Sequence, residues 1–279
     1  MSDSAVLMKE LHAAMDRWRL APDGPLVETR SGCIAFVRQG PDRRVLKMLS
    51  SGSDETIGVS ALAHYKGIGA VNILDRTGRA MLLERIEPGH QLAEYVLAGN
   101  DDRATGILCD VMQALHRSGP PATTFPLVEA WGESFADYRR TNGPLPSPLV
   151  ERAEVLYREL CESQGPRVLL HGDLHHDNVL YDARRGWLAV DPKGVLGEPA
   201  YETGAALRNP TADVALFATP AIIDRRVRIL CERLLLDRAR VLGWCFAQAV
   251  LAAIWAVEDE TEDERGVATA QATLPLLAR

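Results

Sequence analysis

A chain of 279 residues that is 47% hydrophobic is long enough to bury one large core or two moderate ones. Its net charge of -7 at pH 7 argues against a general nucleic-acid-binding protein, which needs a basic face for phosphates, and permits a cationic partner without requiring one. The five cysteines are an odd number without a C-x-x-C pair, a pattern typical of reduced cytoplasmic thiols rather than of a disulfide framework.

Targeting and membrane segments are not predicted. Residues 1–20 are charged and amphipathic, without the apolar core of a signal peptide. The longest apolar run, near residues 243–257, is shorter than the roughly 20 residues that span a bilayer, and Gln248 interrupts it. We therefore expect a cytoplasmic protein without membrane or nucleic-acid partners, either a monomer or a homodimer.

The first part of the chain is rich in short β-type runs. The predicted elements are helix 4–20, strands 25–30, 33–38 and 43–49, helix 53–65, and strands 70–74 and 79–85. The last two strands are separated by a turn. This pattern predicts an N-terminal sheet lobe over residues 1–86.

Helical patterns dominate beyond a hinge near residues 84–89. The predicted helices cover residues 91–97, 101–117, 126–141, 148–163 and 237–257. Short strands at 167–170, 178–181 and 187–191 interrupt them and carry a polar loop. We therefore expect an α+β fold whose second domain, 87–279, is a helical lobe with this hairpin at the interlobe cleft, where ligands commonly bind.

The polar loop carries a constellation of chemically active residues. His171, Asp173 and Asn178 match H-x-D-x-x-x-x-N, and Asp191 ends the next strand. In kinase signatures the first aspartate accepts the proton of the attacking hydroxyl, and the asparagine and the later aspartate bind metal ions at the nucleotide phosphates. A hairpin presenting these groups on one rim suits phosphoryl transfer.

The histidines of this loop raise the alternative of a zinc site. The spacing of His171 and His175 suits ligation on a helix, which Gly172 and the flanking strands disfavour. We expect His171 to hold the loop by hydrogen bonds instead.

Lys47 lies in an apolar strand of the sheet lobe, where its side chain can either face solvent or take part in the reaction. Because it precedes the polar loop in the order that kinases use, we interpret it as the lysine that binds nucleotide phosphates. Glu55, on the following helix, is the preferred carboxylate to orient it. Alternatively, Asp54 and Glu55 only favour the helix N-terminus through its dipole.

The segments "HGDLHHDNVL", "VDPKGVLGEPAYE" and "LRNP" resemble the aminoglycoside phosphotransferase superfamily, most closely its streptomycin 6-kinase and hydroxyurea phosphotransferase branch, over nearly the whole chain. The resemblance implies a protein-kinase-like bilobal fold. It also implies transfer of the γ-phosphate of ATP or GTP, with Mg²⁺, to a hydroxyl group of a small molecule.

The resemblance assigns roles by position. It makes Asp173 the catalytic base and Asn178 and Asp191 the magnesium ligands. Lys47 becomes the phosphate lysine, and backbone groups near Glu84 and Ile86 meet the adenine.

The chain departs from the protein-kinase pattern. It has no G-x-G-x-x-G loop, and Ser31 and Gly32 occupy the place where backbone amides would cover the phosphates. "DPKG" replaces D-F-G, and no A-P-E segment follows. A small-molecule kinase is therefore expected rather than a protein kinase.

Acidic residues are candidates for the acceptor site. Residues 258–264 hold six acids in seven positions, which form either a solvated face or, through Glu258 and Asp259, a site for a polycationic substrate. Glu198 and Glu202 are further candidates. Trp244 and Trp255 are assigned to the core, and Lys193 pairs with phosphate or a carboxylate, or faces solvent.

The expected function is phosphorylation of an aminoglycoside such as streptomycin, a cationic small molecule. The alternatives keep the chemistry but change the acceptor to hydroxyurea, an amino sugar or an amino alcohol. A non-catalytic nucleotide-binding pseudokinase is the alternative from another class, but the polar set of Lys47, Asp173, Asn178 and Asp191 is complete.

Overall fold

The structure is a computed structural model and describes residues 3–29, 32–50, 55–117, 119, 121, 124–141, 143–212, 214, 217–261 and 264–278. The sheet lobe contains α1 (Asp3–Trp18), β1 (Leu20–Thr29), β2 (Gly32–Gln39), β3 (Asp42–Leu49), α2 (Glu55–Tyr65), β4 (Ile73–Thr77) and β5 (Ala80–Glu84). Its strands form one antiparallel sheet in the order β1-β2-β3-β5-β4.

The position of Lys47 in β3 follows from strand alternation. Leu46 and Met48 pack into a small core with Leu11 and Trp18 of α1. Because successive side chains of a strand point to opposite faces, Lys47 lies on the other face, toward the cleft. In the sheet it pairs with Ile34 of β2 and Met81 of β5.

The helical lobe follows β5. Its elements are β6 (Pro88–Gln91), α3 (Ala93–Leu97), α4 (Asp101–His116), α5 (Val128–Trp131), α6 (Glu133–Thr141), α7 (Ser147–Glu162), β7 (Val168–Leu170), β8 (Val179–Asp182), β9 (Gly186–Ala189), β10 (Val195–Gly197), α8 (Thr203–Leu207), α9 (Pro220–Leu234), α10 (Arg238–Glu258) and α11 (Arg265–Leu277). Two short antiparallel sheets, β6-β8-β9 and β7-β10, flank the loop between β7 and β8.

Helix α10 is the central element of this lobe. Asp237 caps it, because the Asp237 carboxylate accepts a hydrogen bond from the Arg240 backbone N–H at 2.8 Å. By length and composition alone α10 is apolar enough to cross a membrane, but 78% of its most apolar window is buried inside the protein. It is therefore packed as a core helix.

Hydrogen bonds join the two lobes beside the cleft. In the connection between α2 and β4, the Val71 N–H donates to the Ala189 carbonyl at 2.9 Å, and the Ala189 N–H donates to Gly69 at 2.8 Å. Arg185, in the β8–β9 turn, donates to the carboxylate of Glu84 and to the carbonyl of Gly67. The sheet lobe is thus fixed to the β8–β9 hairpin along one side.

The element boundaries differ from the predictions at several places, and the strands predicted at 25–30 and 70–74 are Leu20–Thr29 and Ile73–Thr77. The predicted helix 126–141 is two helices, because the chain turns at Gly132 between α5 and α6. β6 and β10 were not predicted, and each is only a few residues that pair with a predicted strand. The predicted strand 187–191 ends at Ala189, and Asp191 adopts a positive φ of 56°.

Candidate active site

The HGD loop, residues 171–178 between β7 and β8, is fixed by the buried carboxylate of Glu202. This carboxylate accepts hydrogen bonds from the backbone N–H groups of His171, at 2.7 Å, and Gly172, at 2.9 Å. Gly172 has a φ of +84°, and a Cβ there would lie 2.7 Å from the Trp131 ring. Glycine is therefore required at this turn.

His171 is buried and organises the loop from inside. One ring nitrogen, Nε2, lies 2.8 Å from the Val190 carbonyl, and the other, Nδ1, accepts from the Asp173 N–H at 3.3 Å. Burial lowers the pKa of His171, so the neutral ring, with Nε2 as donor, fits both contacts. The predicted hydrogen-bonding role of His171 is confirmed.

Asp173 presents its carboxylate to two nitrogen-bearing side chains. Its Oδ1 lies 3.6 Å from Arg208 Nη2, and its Oδ2 lies 3.8 Å from His175 Nε2. Burial alone would raise the pKa of Asp173, but His175 and the Arg208 guanidinium outweigh it and hold the pKa below its usual value. The carboxylate is therefore ionised at neutral pH and can accept a proton.

Asn178 and Asp191 are joined to Asp173 and Lys47 by successive contacts. The Asn178 side chain donates through Nδ2 to the Asp173 carbonyl at 3.0 Å, and the backbone carbonyl of Asn178 accepts from the Val190 N–H at 2.9 Å. Asp191 follows Val190, and its Oδ1 lies 2.6 Å from the Nζ of the buried Lys47. The fold thus brings Lys47 of the sheet lobe to the segment that carries Asp173, Asn178 and Asp191.

The oxygen atoms at this corner fit a divalent cation. The Asp191 side chain is 46% exposed, and the Asn178 amide oxygen is the atom left after Nδ2 has donated. One carboxylate and one amide oxygen are hard ligands of the kind that Mg²⁺ takes together with phosphate oxygens and water. Within the part of the chain that the structure describes, no group of three or more His, Cys, Asp or Glu side chains forms a metal site.

A cavity of about 730 Å³ opens beside Asp173. Its wall includes Trp131 and Trp255, whose ring centroids are 5.8 Å apart at 84°, and Ile57 of α2. Trp255 is half-buried and packs against the main core as predicted, but its ring also lines the cavity, and Trp244 is fully buried as predicted.

Two of the four predicted acceptor-site acids line this cavity. Glu258 and Asp259 stand at its rim, where α10 ends. Burial and the neighbouring charge of Asp259 raise the pKa of Glu258. Two adjacent carboxylates at the rim favour a cationic ligand.

The other two acids have structural contacts outside the lining of the cavity. Glu198 is buried and accepts a hydrogen bond from Arg240 Nε at 2.6 Å and another from the Trp244 indole. It joins the segment after β10 to α10. Glu202 fixes the HGD loop, so each of these two carboxylates binds protein groups.

The remaining predicted residues lie in the sheet lobe and the hinge. Gly32 begins β2, where a Cβ would overlap the Met48 carbonyl oxygen, and Ser31 lies outside the described residues. Glu55 begins α2, but its side chain is likewise outside the described part. Glu84 accepts from the Asn72 N–H at 2.7 Å as well as from Arg185, and Ile86 is buried in the main core.

Sequence reasoning assigned no role to Arg208 or Trp131. Arg208 belongs to the "LRNP" segment and bridges Asp173 and Gln248, whose Oε1 it approaches at 3.4 Å. The sequence did offer one signal for Arg208, since it is the only charged residue in "LRNP". Trp131 gave none, because a tryptophan in a helical pattern is usually a core residue.

Comparison with known proteins identifies the family. Residues 17–260 match the profile described as aminoglycoside/hydroxyurea antibiotic resistance kinase. The chain belongs to this family. It is therefore a kinase that transfers a phosphoryl group to a hydroxyl acceptor.

Relatives of this kinase align over most of its length. The streptomycin 3''-kinase of Klebsiella pneumoniae is 36% identical over 253 residues, which cover 88% of this chain and 91% of the relative. The streptomycin 6-kinase of Streptomyces glaucescens is 32% identical over 276 residues, covering 95% and 88%.

The fold agrees with solved structures. The crystal structure of aminoglycoside phosphotransferase APH(4)-Ia superposes with a TM-score of 0.69 at 15% identity and covers 98% of both chains. Neighbours of this kind are protein-kinase-like, so the predicted bilobal α+β class is confirmed.

Proposed function

We propose that this kinase transfers the γ-phosphate of ATP, with Mg²⁺, to a hydroxyl group of an aminoglycoside such as streptomycin and thereby inactivates the antibiotic. The observation that carries the proposal is the position of Asp173. Asp173 lies on the wall of the acceptor cavity, and its backbone carbonyl accepts a hydrogen bond from Asn178. Asn178 is hydrogen-bonded to Val190, the residue before Asp191, and Asp191 pairs with Lys47. Acceptor and nucleotide thus meet at one carboxylate.

The chemistry assigned to this site is direct transfer. Asp173, ionised at neutral pH, orients the acceptor hydroxyl and takes its proton as the new O–P bond forms. Lys47 binds the nucleotide phosphates. Asn178 and Asp191 would hold Mg²⁺, which neutralises phosphate charge when bound.

The nucleotide is assigned to the cleft between the lobes. Backbone groups near Glu84 and Ile86 would meet the adenine, and the start of β2 at Gly32 would lie over the phosphates. This assignment divides the chain into a nucleotide-binding sheet lobe, residues 1–86, and an acceptor-binding helical lobe, residues 87–279. A cytoplasmic location agrees with these substrates.

A cationic acceptor suits the cavity. Glu258 and Asp259 supply negative charge, and Trp131 and Trp255 supply apolar walls that bind cations through their ring faces. Both relatives described above are named as streptomycin kinases. Hydroxyurea, which the family description includes, is the alternative acceptor.

The test is a coupled assay of ADP release with ATP and Mg²⁺ against streptomycin, other aminoglycosides, hydroxyurea and simple amino alcohols. We expect stimulation by streptomycin and a mass gain of one phosphate on the antibiotic. If only hydroxyurea or an amino alcohol stimulates ADP release, that compound is the acceptor and the aminoglycoside assignment is wrong. If no acceptor stimulates ADP release, the proposal is contradicted.

The Asp173→Asn variant tests the mechanism. Loss of the proton acceptor should lower kcat by roughly 10²–10⁴-fold. Nucleotide binding, measured as thermal stabilisation by ATP and Mg²⁺, should remain, because Asp173 is not assigned to the nucleotide. Full turnover in this variant would remove Asp173 from the role of base.

A further inference from the structure

Lys193 is fixed beside the HGD loop, two residues after Asp191. Its backbone N–H donates to the His171 carbonyl at 2.8 Å. A Cβ placed on Gly172 would lie 3.4 Å from the Lys193 Cβ, so the base of this side chain packs against the loop that carries Asp173. Its exposed side chain lines the same cavity as Asp173.

The other cations of this cavity have partners. Arg208 contacts Asp173 at 3.6 Å and Gln248 at 3.4 Å, and Arg265 Nη1 donates to Asn209 Oδ1 at 2.8 Å. Among the residues that the structure describes, the Lys193 ammonium makes no hydrogen bond or ion pair. Lys193 is thus the cation that the cavity leaves available for a ligand.

An available ammonium repels a cationic acceptor and attracts an anion. In the proposed reaction the anion that reaches the acceptor hydroxyl beside Asp173 is the γ-phosphoryl group of the nucleotide. We propose that Lys193 is a further catalytic residue, whose ammonium binds the γ-phosphoryl group while it passes from nucleotide to acceptor. This inference rests on the proposed function.

The step balances without further reactants. The acceptor oxygen forms a bond to the γ-phosphorus, and the bond from that phosphorus to the β–γ bridging oxygen breaks. The electron pair leaves with ADP, and the hydroxyl proton moves to Asp173. Lys193 stays protonated and donates hydrogen bonds to the oxygens of the transferring group, where charge is spread in the transition state.

A lysine suits this task because the phosphoryl group moves during the reaction. Its four-carbon stem and three rotatable donors follow a changing position, whereas an arginine fork prefers one fixed bidentate geometry. The charge of Lys193 adds to those of His175 and Arg208 that lower the pKa of Asp173, which agrees with its place on the same cavity wall.

Kinetics of substituted kinases provide the first test. Lys193→Met should lower kcat by about 10²–10³-fold, the usual cost of removing one donor to a developing charge, with little change in the KM of ATP or acceptor. Lys193→Arg, which keeps the charge, should recover part of the loss. Lys9→Met, an exposed lysine of α1 remote from the cavity, is the matched control and should leave kcat unchanged.

Amine labelling provides a readout other than activity. The chain has only four lysines, so mass spectrometry after limited acetylation resolves each of them. AMP-PNP with Mg²⁺ should protect Lys193 more than ADP with Mg²⁺ does, because only AMP-PNP carries the γ-phosphoryl group. Lys9 and Lys66 should label equally in both.

The outcomes separate the two proposals. If an acceptor is phosphorylated but kcat of Lys193→Met is normal, or AMP-PNP does not protect Lys193, then Lys193 has no role in transfer and the proposed function stands. If no acceptor is phosphorylated and no nucleotide stabilises the protein, both proposals fail together.

Discussion

Glu202 and Glu198 are buried glutamates four residues apart with different consequences for activity. The Glu202 carboxylate accepts two backbone N–H groups of the HGD loop. In Glu202→Gln one of the two oxygens becomes an NH₂ group that cannot accept, and a hydrogen bond to a charged group is worth about 1.5–3 kcal/mol. We expect the variant to lose stability by about that amount and kcat by at least tenfold.

Glu198→Gln is the matched control for this measurement. It disturbs the contacts of Arg240 and Trp244 with Glu198, so the melting temperature should fall. The HGD loop keeps its anchor, and kcat of the folded enzyme should stay within about threefold. Equal losses of kcat in both variants would argue against a positioning role for Glu202.

Glu258 belongs to the rim of the acceptor cavity, and its effect should depend on the charge of the acceptor. Glu258→Gln removes one partly exposed carboxylate, an interaction worth up to about 1 kcal/mol, so the KM of a cationic acceptor should rise up to about fivefold. The KM of ATP should not change. Glu260→Gln is the control, because Glu260 belongs to the same acidic run but not to the cavity wall, and both KM values should stay unchanged. Equal effects of the two substitutions would mean that the acidic run acts through its overall negative charge rather than through a contact of Glu258.

At the scale of elements, an ion pair joins α4 and α9 to the segment that carries Arg208. Arg226 of α9 is 1% exposed, and its Nε lies 3.0 Å from Asp101 Oδ1 at the start of α4. The same guanidinium donates to the carbonyls of Ala206, at 3.2 Å, and Asn209, at 2.7 Å. The helix pair thus fixes the backbone on both sides of Arg208.

Removal of this pair should be costly. Asp101→Asn leaves the Arg226 guanidinium buried without its counter-charge. We expect this substitution to lower the free energy of unfolding by about 3–5 kcal/mol. Urea denaturation at pH 7 measures the loss. Asp102→Asn is the control, because Asp102 meets Arg225 at 2.6 Å between two exposed side chains and should contribute less than about 1 kcal/mol.

The pH dependence of stability follows from the same pair. Burial alone would raise the pKa of Asp101, but the hydrogen bond and charge of Arg226 outweigh it and lower the pKa. Since the folded pKa lies below the unfolded value, the contribution is complete above pH about 4 and is lost as the pH falls through the folded pKa. Wild-type stability should therefore approach that of Asp101→Asn in acid, and a constant difference down to pH 2 would contradict this.

At the scale of the whole molecule, one main core and several hydrogen bonds connect the lobes. The core runs from Leu83 of β5 to Trp244 of α10 without interruption. Backbone bonds between Val71 and Ala189 and the contacts of Arg185 add to it. We expect a single calorimetric transition with equal calorimetric and van't Hoff enthalpies, whereas two resolved transitions would show that the lobes unfold separately.

The sequence predicted the parts of this molecule that have a periodic or fixed-spacing signal. The chain order of Lys47, in an apolar strand upstream of the polar loop, identified it, and the H-x-D-x-x-x-x-N spacing identified Asp173 and Asn178. Glu202 could not be placed, because it lies in a short 3₁₀ segment, Pro199–Glu202, whose burial follows no helical or strand period. β6 is a strand only because β8 pairs with it, which is tertiary information.

The position of Ile57 links the two substrates. This residue stands on α2, in the lobe assigned to the nucleotide, yet its side chain forms part of the acceptor wall. Any displacement of α2 caused by one ligand therefore alters the space offered to the other. Such coupling is reciprocal, so the factor by which nucleotide changes the affinity for the antibiotic is also the factor by which the antibiotic changes the affinity for nucleotide. If nucleotide and acceptor favour the same position of α2, each strengthens the binding of the other, and if they favour different positions, each weakens it.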